Sequence, residues 1–168
     1  LFLGIGPCLR LWDVLDGKPL VDILDVGQGQ AICLNLHAGK RLLLDGGGGN
    51  SIRFDPGKAL LAPALTDNAA PRISAVFNSH PDMDHLGGLI YLLDHLDSGA
   101  IFHNGREANG RLKDEWAANM ARPNANALVR GDKIELGGKL YLEVLHPPAN
   151  DATWKGNNAS VVLRLCRD

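Results

Sequence analysis

Four side chains of types that bind metal ions lie within six positions of this sequence. The stretch Asn-Ser-His-Pro-Asp-Met-Asp-His-Leu-Gly-Gly, residues 78–88, contains His80, Asp82, Asp84 and His85. Imidazole nitrogens and carboxylate oxygens are the ligands that proteins use for zinc, manganese and magnesium. A polar turn with a helix cap and a coincidence of composition are the alternative explanations, so the surrounding sequence has to decide.

The flanking sequence places these residues in a connection between a strand and a helix. Ile73–Phe77 is an apolar run that predicts a strand, and the leucines and isoleucine of Leu86–Leu96 have the i, i+3, i+4, i+7 spacing of an amphipathic helix. Functional sites of open α/β sheets gather in such connections, at the carboxyl ends of strands. Pro81 stiffens the segment that carries His80 and Asp82, so these two side chains can point to the same side. This arrangement favours the metal site.

The start of the predicted helix raises two further points. Asp84 is also suited to be the helix N-cap, which is the alternative explanation of that carboxylate. Gly87 and Gly88 each cost roughly 1 kcal/mol relative to alanine inside a helix. We therefore expect the backbone there to pack closely against the motif loop or the sheet.

The rest of the chain predicts strands, then strand–helix alternation, then strands again. The expected elements are strands at Leu20–Val26, Ala31–Leu36 and Arg41–Leu44, a short helix at 58–66, a strand at Ala100–Phe102, a helix near Leu112–Met120, strands from Ala127 onward with a hairpin turn at Gly137-Gly138, and a last strand at Ala159–Leu165. We find no internal repeat, linker or low-complexity segment. The pattern is that of a mixed α/β domain.

Composition limits the classes of protein to be considered. The chain has 168 residues, of which 45% are hydrophobic and 21% charged, and a net charge of −2. Its Lys and Arg residues are scattered, which argues against a tight binder of duplex DNA. Three distant cysteines without a C-x-x-C pair argue against a disulfide framework or a cysteine zinc site.

No run approaches the roughly 18 apolar residues that a membrane span requires. The opening LFLGIGPCLRLW is short, interrupted by Gly and Pro, and lacks a basic leader, so it predicts neither a signal peptide nor a span. We expect residues 1–19 to be the end of a preceding region and residues 20–165 to form the core of a single domain.

The motif HPDMDH followed by Leu-Gly-Gly resembles the H-x-H-x-D-H metal motif of the metallo-β-lactamase-fold hydrolases, with Asp82 in place of the second histidine. LDVGQGQ at 24–30, followed by AICLNL and RLLLDGG, resembles the opening of the C-terminal hydrolase domain of the ComEC family of DNA-uptake channel proteins, where aspartate is usual at the position of Gln30. LHPP at 145–148 and NNASVVLRL at 157–165 resemble a later segment of that domain. The resemblance covers nearly the whole chain.

The resemblance implies an αββα sandwich, of which this chain holds the first half. Past the segment that matches NNASVVLRL, the family continues with a strand carrying a Gly-Asp pair and then an H-H-G-S segment, and residues 166–168 of this sequence contain neither. Those later segments supply a bridging aspartate and a further histidine in the family. Glutamine in place of aspartate at position 30 removes a negative charge but does not remove a ligand of the metal motif. It puts in doubt one contact that would support the ligands from behind.

The chemistry implied by the resemblance is hydrolysis at one or two divalent cations. His80 and Asp82 would hold one cation, and Asp84 and His85 the other, with Asp84 also the candidate catalytic residue. Because the carboxylate of Asp82 makes the ligand set harder, manganese or magnesium becomes plausible beside zinc.

Other polar residues are candidates for supporting roles. Asp45 ends its predicted strand before four glycines and could orient a ligand imidazole from behind, although a plain Asp-Gly turn is the alternative. His103 and Arg106 follow the strand after the motif helix and could bind substrate, with Arg106 facing a phosphate, although a polar loop is the alternative. The remaining histidines, His37, His95 and His146, are weaker candidates.

Two classes of function follow from the resemblance. The first is a metal-dependent nuclease or phosphodiesterase that acts on single-stranded DNA during uptake, in a soluble domain on the extracytoplasmic side of a bacterial inner-membrane channel protein. The second is a non-catalytic domain that contacts the rest of the channel polypeptide, or a general metallo-hydrolase with a substrate other than nucleic acid.

Ligand counting gives a first prediction. A tight hydrolytic site needs about three protein ligands per metal and an open position for water, whereas the motif offers two ligands to each cation. We expect the 168-residue chain alone to bind Mn²⁺ or Zn²⁺ weakly or not at all at neutral pH and to show no turnover. We also expect it to self-associate, because the missing layers would leave sheet edge or apolar core uncovered. Isothermal titration and light scattering test this. A monomer that binds two cations with sub-micromolar affinity would contradict it.

Overall fold

The computed structural model describes residues 18–49, 54–67, 70–149 and 153–168. Within these ranges nine strands form two sheets, and helices pack beside the larger one. The expected leader at 1–19 lies outside the described residues except for its last two positions. None of the described helices is long and apolar enough to cross a membrane.

The larger sheet has six strands whose spatial order follows the chain. They are β1 (Leu20–Ile23), β2 (Ile32–Asn35), β3 (Arg41–Leu44), β4 (Arg72–Phe77), β5 (Asp97–His103) and β6 (Ala125–Ala127). Pairing is antiparallel from β1 to β3 and parallel from β3 to β6. The carboxyl ends of β3, β4 and β5 therefore lie at one edge of the sheet, which is where Asp45 and the metal motif follow.

Helices cover one face of this sheet. A π-helical turn at Gly57–Leu61 leads into α1 (Ala62–Thr66), α2 is Met83–His95, and a 3-10 turn at Gly110–Leu112 precedes α3 (Lys113–Met120). Their buried side chains pack with one set of strand residues in a single apolar cluster, which includes Leu43, Ile73, Ile101, Leu61, Leu89 and Trp116. The stripe that predicted α2 is thus its buried face.

The second sheet covers the opposite face. It consists of β7 (Lys133–Gly137), β8 (Leu140–His146) and β9 (Val162–Arg167), all antiparallel. A second apolar cluster joins the two sheets and includes Leu34, Leu42, Phe77, Leu140, Leu142 and Val144. Because side chains alternate along a strand, adjacent Leu42 and Leu43 of β3 enter different clusters. The described residues therefore form three layers, helices, sheet and sheet, of the expected sandwich.

Element boundaries differ from the sequence expectation at a few points. α2 begins at Met83, three residues before the expected start, and Asp82 rather than Asp84 is the N-cap residue, without a side-chain cap hydrogen bond. β1 ends at Ile23 because a turn follows in which Asp25 Oδ1 accepts a hydrogen bond from the Gly27 amide at 3.0 Å. β9 begins at Val162 because Gly156–Ala159 forms a 3-10 turn.

The outer edge of the larger sheet is apolar. Leu20, Val21 and Ile23 of β1 are exposed, with 80% of the Ile23 surface accessible. Among the described residues only β2 pairs with β1, and strand edges left unpaired are sites of association between chains. Self-association through this edge remains a prediction.

The glycine loop, residues 46–49, holds the start of α2 by backbone contacts. The Gly46 amide donates to the His85 carbonyl at 2.8 Å, and the Gly88 amide donates to the Gly47 carbonyl at 3.0 Å. A Cβ added at Gly88 would lie 2.2 Å from the Gly46 oxygen, and one added at Gly87 would lie 3.1 Å from the Gly48 Cα. This close approach confirms the expected reason for two glycines inside the helix.

Substitution of Gly88 tests this packing. Alanine gains about 1 kcal/mol in helix propensity, but overpacking against a fixed backbone costs roughly 1–3 kcal/mol. We expect Gly88→Ala to lower the free energy of unfolding, as measured by urea denaturation, and Gly87→Ala to lower it less because its nearest contact is longer. A Gly88→Ala protein as stable as the wild type would show that the glycine loop does not press on α2.

Candidate metal centre

The side chains of the metal motif form one compact group at the connection from β4 to α2, with Asp84 and His85 in the first turn of the helix. The His80 and His85 rings lie with their centroids 4.1 Å apart. His80 Nε2 is 3.4 Å from Asp82 Oδ2, and His85 Nε2 is 3.8 Å from Asp84 Oδ2. His80 is buried, whereas the two carboxylates are partly exposed. The structure therefore brings together the four residues that the sequence proposed as ligands, in two imidazole–carboxylate pairs.

Asp45 lies behind this group as a fully buried carboxylate with a φ of 57°. Five hydrogen bonds reach its two oxygens, from Gln30 Nε2 at 2.8 Å, Asn78 Nδ2 at 3.3 Å, the Ser79 amide at 2.7 Å, Ser79 Oγ at 2.6 Å and His85 Nδ1 at 2.8 Å. A buried carboxylate is tolerated only when it is paired and hydrogen-bonded in this way. The predicted contact between Asp45 and a motif imidazole is present, and the alternative of a plain Asp-Gly turn does not account for it.

The hydrogen bond to Asp45 fixes which nitrogen of His85 is available. An ionised carboxylate can only accept, so His85 Nδ1 carries the proton and Nε2 of the neutral ring carries the lone pair. Burial lowers the pKa of His85, but the hydrogen bond and negative charge of Asp45 outweigh burial and raise the pKa above its ordinary value. His85 thus presents Nε2 towards Asp84.

His80 is oriented by two hydroxyl groups. Ser79 Oγ uses its proton on Asp45 Oδ2, and Ser160 Oγ uses its proton on the Asn157 carbonyl at 2.8 Å. Both hydroxyl oxygens can therefore only accept from His80 Nδ1, at 3.0 Å from Ser79 and 3.1 Å from Ser160. His80 Nε2 is left with the lone pair, buried and without a hydrogen-bond partner among the described residues.

The donor set fits divalent cations in pairs. Each pair offers an imidazole Nε2 lone pair beside a carboxylate, and the orphaned Nε2 of His80 is the buried polar atom that a cation would satisfy. Burial, followed by the neighbouring His85, lowers the pKa of His80, which keeps this imidazole in the neutral form that ligates. In the part of the chain that the structure describes, no group of three or more His, Cys, Asp or Glu side chains is arranged to hold a metal ion.

Of the two residues suggested for substrate binding, His103 ends β5 and Arg106 lies in the loop that follows, and both contact Trp116 of α3. His103 is buried, accepts a hydrogen bond from the Gly105 amide at 3.0 Å and meets the Trp116 ring edge-on, and burial lowers its pKa. The Arg106 carbonyl accepts from Trp116 Nε1 at 3.2 Å. The structure does not bring His103 into the group of motif side chains, and a role of either residue in substrate binding stays a prediction.

Several residues around the motif were not singled out from the sequence as contributors to the site. Ser79 lies within the motif itself, and Asn78, immediately before it, also donates to the His80 carbonyl at 3.0 Å. Ser160 belongs to the NNASVVLRL segment that carried the resemblance, about 80 positions away. A short hydroxyl residue gives no periodic signal, so only the fold reveals its contact with His80.

Residues 24–153 match the family described as the Metallo-beta-lactamase superfamily. The chain belongs to this superfamily. Members of the superfamily generally bind divalent metals. The chain is also 31% identical over 170 residues to ComE operon protein 3 of Bacillus subtilis (strain 168), a match that covers 92% of this chain and 21% of that protein. This similarity confirms the ComEC-like character inferred from the motifs. The chain spans about a fifth of the length of that relative.

Solved structures of the same fold are more distant in sequence. The metallo-beta-lactamase SMB-1, in a complex with mercaptoacetic acid, matches with a TM-score of 0.53 and 14% identity, over 82% of this chain and 51% of that one. The CmlA beta-hydroxylase E377D mutant matches with a TM-score of 0.52 and 14% identity, over 95% of this chain and 34% of that one. These similarities establish the fold, of which the described residues form a part.

The contact between Asp45 and His85 predicts a shift in titration. Asp45→Asn removes the negative charge that raises the pKa of His85, so we expect that pKa to fall. The stabilisation supplied by protonated His85 is complete below the ordinary imidazole pKa and is lost as the pH rises through the raised value, so this high-pH loss should diminish in the variant. NMR titration of the imidazole protons measures the shift. Asp94→Asn, on an exposed position of α2, is the matched control. An unchanged His85 titration in Asp45→Asn would contradict the assignment.

Proposed function

We propose that this chain is part of a metal-dependent hydrolase domain that cleaves phosphodiester bonds in DNA. The observation that supports it most directly is the pairing of two Nε2 lone pairs with two carboxylates, each imidazole being held from behind by Asp45 or by serine hydroxyls. Nε2 atoms fixed in this way are the usual arrangement of histidines that ligate metals. The membership of the superfamily supports hydrolysis as the class of reaction.

We assign different roles in such a site to the four motif residues. His80 and Asp82 would hold one cation, and Asp84 and His85 the other. A bound cation would lower the pKa of a water molecule and offset the charge that develops on a phosphoryl oxygen. Asp84 is partly exposed, so its carboxylate can also accept a proton from the attacking water, which is the catalytic role we assign to it. The mixed nitrogen and oxygen donors suit Mn²⁺ or Zn²⁺, and Mg²⁺ to a lesser degree.

The substrate and the setting are inferred from the relative. Similarity to a ComE operon protein supports a role in competence, and we infer that the substrate is a single strand of DNA that enters through a membrane channel. The partner is then the remainder of the channel polypeptide, with the domain on the extracytoplasmic side of the inner membrane. A cation bound at the motif would offset the weakly acidic charge of the chain where the phosphate approaches.

A second candidate is a domain without catalysis, kept for contacts within the channel polypeptide. The observation in its favour is that the described residues offer only two ligands to each cation. A general metallo-hydrolase with a different substrate is the remaining alternative. Hydrolysis assays on several substrates distinguish the three.

The assay uses the natural polypeptide that contains this chain, single-stranded DNA and Mn²⁺. We expect cleavage, and we expect His80→Ala and Asp84→Ala to reduce its rate by at least about 100-fold, since loss of even an outer partner of a ligand costs roughly 10–100-fold. His95→Ala is the matched control, because this exposed histidine lies at the far end of α2 from Asp84 and stacks on Tyr91. Binding of Mn²⁺ without cleavage of DNA or of a simple phosphodiester would favour the non-catalytic candidate.

A further inference from the structure

An open cleft lies on the segment that leads to β9. It has a volume of about 460 Å³ and is lined by Thr153, Trp154, Lys155 and Asn158. This volume falls within the range of about 300–1,000 Å³ that is usual for sites of small ligands. Neither the motif nor the assigned roles of the other residues account for this cleft.

Trp154 gives the cleft an aromatic wall. The residue is 40% exposed, unlike Trp116, which is fully buried. Its ring lies 4.7 Å from the His146 ring, at an interplanar angle of 41°. His146 is itself held, because its Nδ1 donates to the Ser160 carbonyl at 2.8 Å. An exposed indole on a fixed support is a stacking platform that accepts any nucleobase.

The cleft is adjacent to the His80–Asp82 pair. A Cβ added at Gly156 would lie 3.6 Å from Asp82 Oδ2. Two residues of chain span at most about 7 Å, so the Trp154 Cα lies within that distance of the Gly156 Cα. Ser160, further along the same segment, contacts His80 Nδ1. A base stacked on Trp154 would therefore belong to a nucleotide close to the phosphate at the motif.

Lys155 supplies a positive charge at the same place. Its side chain is exposed and forms no ion pair with the described residues. The carboxylate of Asp82 repels a phosphate unless a cation lies between them, so a neighbouring ammonium group favours the approach of a DNA strand.

We propose that this cleft binds a nucleotide next to the scissile phosphate, with its base stacked on Trp154 and a phosphate oxygen paired with the Lys155 ammonium group. The proposal rests on the proposed function, for which it identifies a substrate subsite. It predicts that affinity depends on the presence of a base rather than on its identity, because every base offers a π face. The other explanation of the exposed indole is that a further part of the natural polypeptide covers it.

The test measures binding separately from cleavage. Fluorescence anisotropy with Ca²⁺ present compares a labelled oligothymidylate with an abasic oligonucleotide of the same length, for the natural polypeptide that contains this chain. The variants are Trp154→Ala, Trp154→Phe and Lys155→Ala, with Lys113→Ala on α3 as the matched loss of an exposed lysine. Cleavage of the oligothymidylate with Mn²⁺ is measured in parallel.

We expect Trp154→Ala to weaken binding of oligothymidylate by roughly 5- to 150-fold and to leave binding of the abasic strand unchanged, with Trp154→Phe in between. Lys155→Ala should weaken the binding of both strands and reduce the salt dependence of the affinity by the equivalent of about one phosphate contact. Lys113→Ala should change neither quantity. Base-dependent binding without cleavage would retain the subsite and reject the nuclease.

Three results would overturn the subsite. One is an equal effect, or no effect, of Trp154→Ala on the two strands. Another is wild-type protein that binds neither strand, or binds both equally well. The third concerns the fluorescence of Trp154, which is obtained as the difference between the wild-type protein and Trp154→Phe. If acrylamide does not quench this fluorescence, the indole is covered and cannot stack on a base. Cleavage of DNA with any of these results would leave the proposed function standing.

Discussion

The buried carboxylate of Asp45 is the group on which the rest of the candidate site depends. It follows β3 directly and receives hydrogen bonds from the loop after β1, from the connection after β4 and from α2. Removing such a charge from water is costly, and the five donors offset that cost only if all three segments are in place. The position of His85 is therefore coupled to the alignment of the sheet edge, because Asp45 joins the two.

Gln30 is one of the hydrogen-bond donors that stabilise the negative charge of Asp45. The resemblance implies that the family usually has aspartate at this position, and an aspartate would place a second carboxylate beside Asp45. The amide of Gln30 instead donates a hydrogen bond to Asp45 Oδ2, so the contact that the replacement put in doubt is present with a neutral partner. Two adjacent carboxylates would require a proton or a cation between them. The glutamine removes that requirement and leaves the negative charge of Asp45 directed at His85.

The sequence was sufficient to predict elements that have a regular spacing of apolar residues and sites that have a cluster of charged or metal-binding residues. The alternation of β8, the stripe of α2 and the density of ligand types in the motif each reflect a direct physical demand, so these elements and the convergence of the four side chains could be predicted. The start of α2 could not, because its first residues, from Met83 to His85, lie outside the buried apolar stripe, which begins at Leu86. The contact of Ser160 with His80 could not either, because it arises only when the second sheet packs on the first.

The two imidazole–carboxylate pairs are not equivalent. Burial lowers the pKa of His80, so a cation at this pair meets little competition from protons near neutral pH. The charge of Asp45 raises the pKa of His85, so at that pair a proton and a cation compete for Nε2. The same charge makes Nε2 of His85 a better donor once the proton has left. Occupancy of the His85–Asp84 pair should therefore require a higher pH than occupancy of the His80–Asp82 pair, although the residue types are the same.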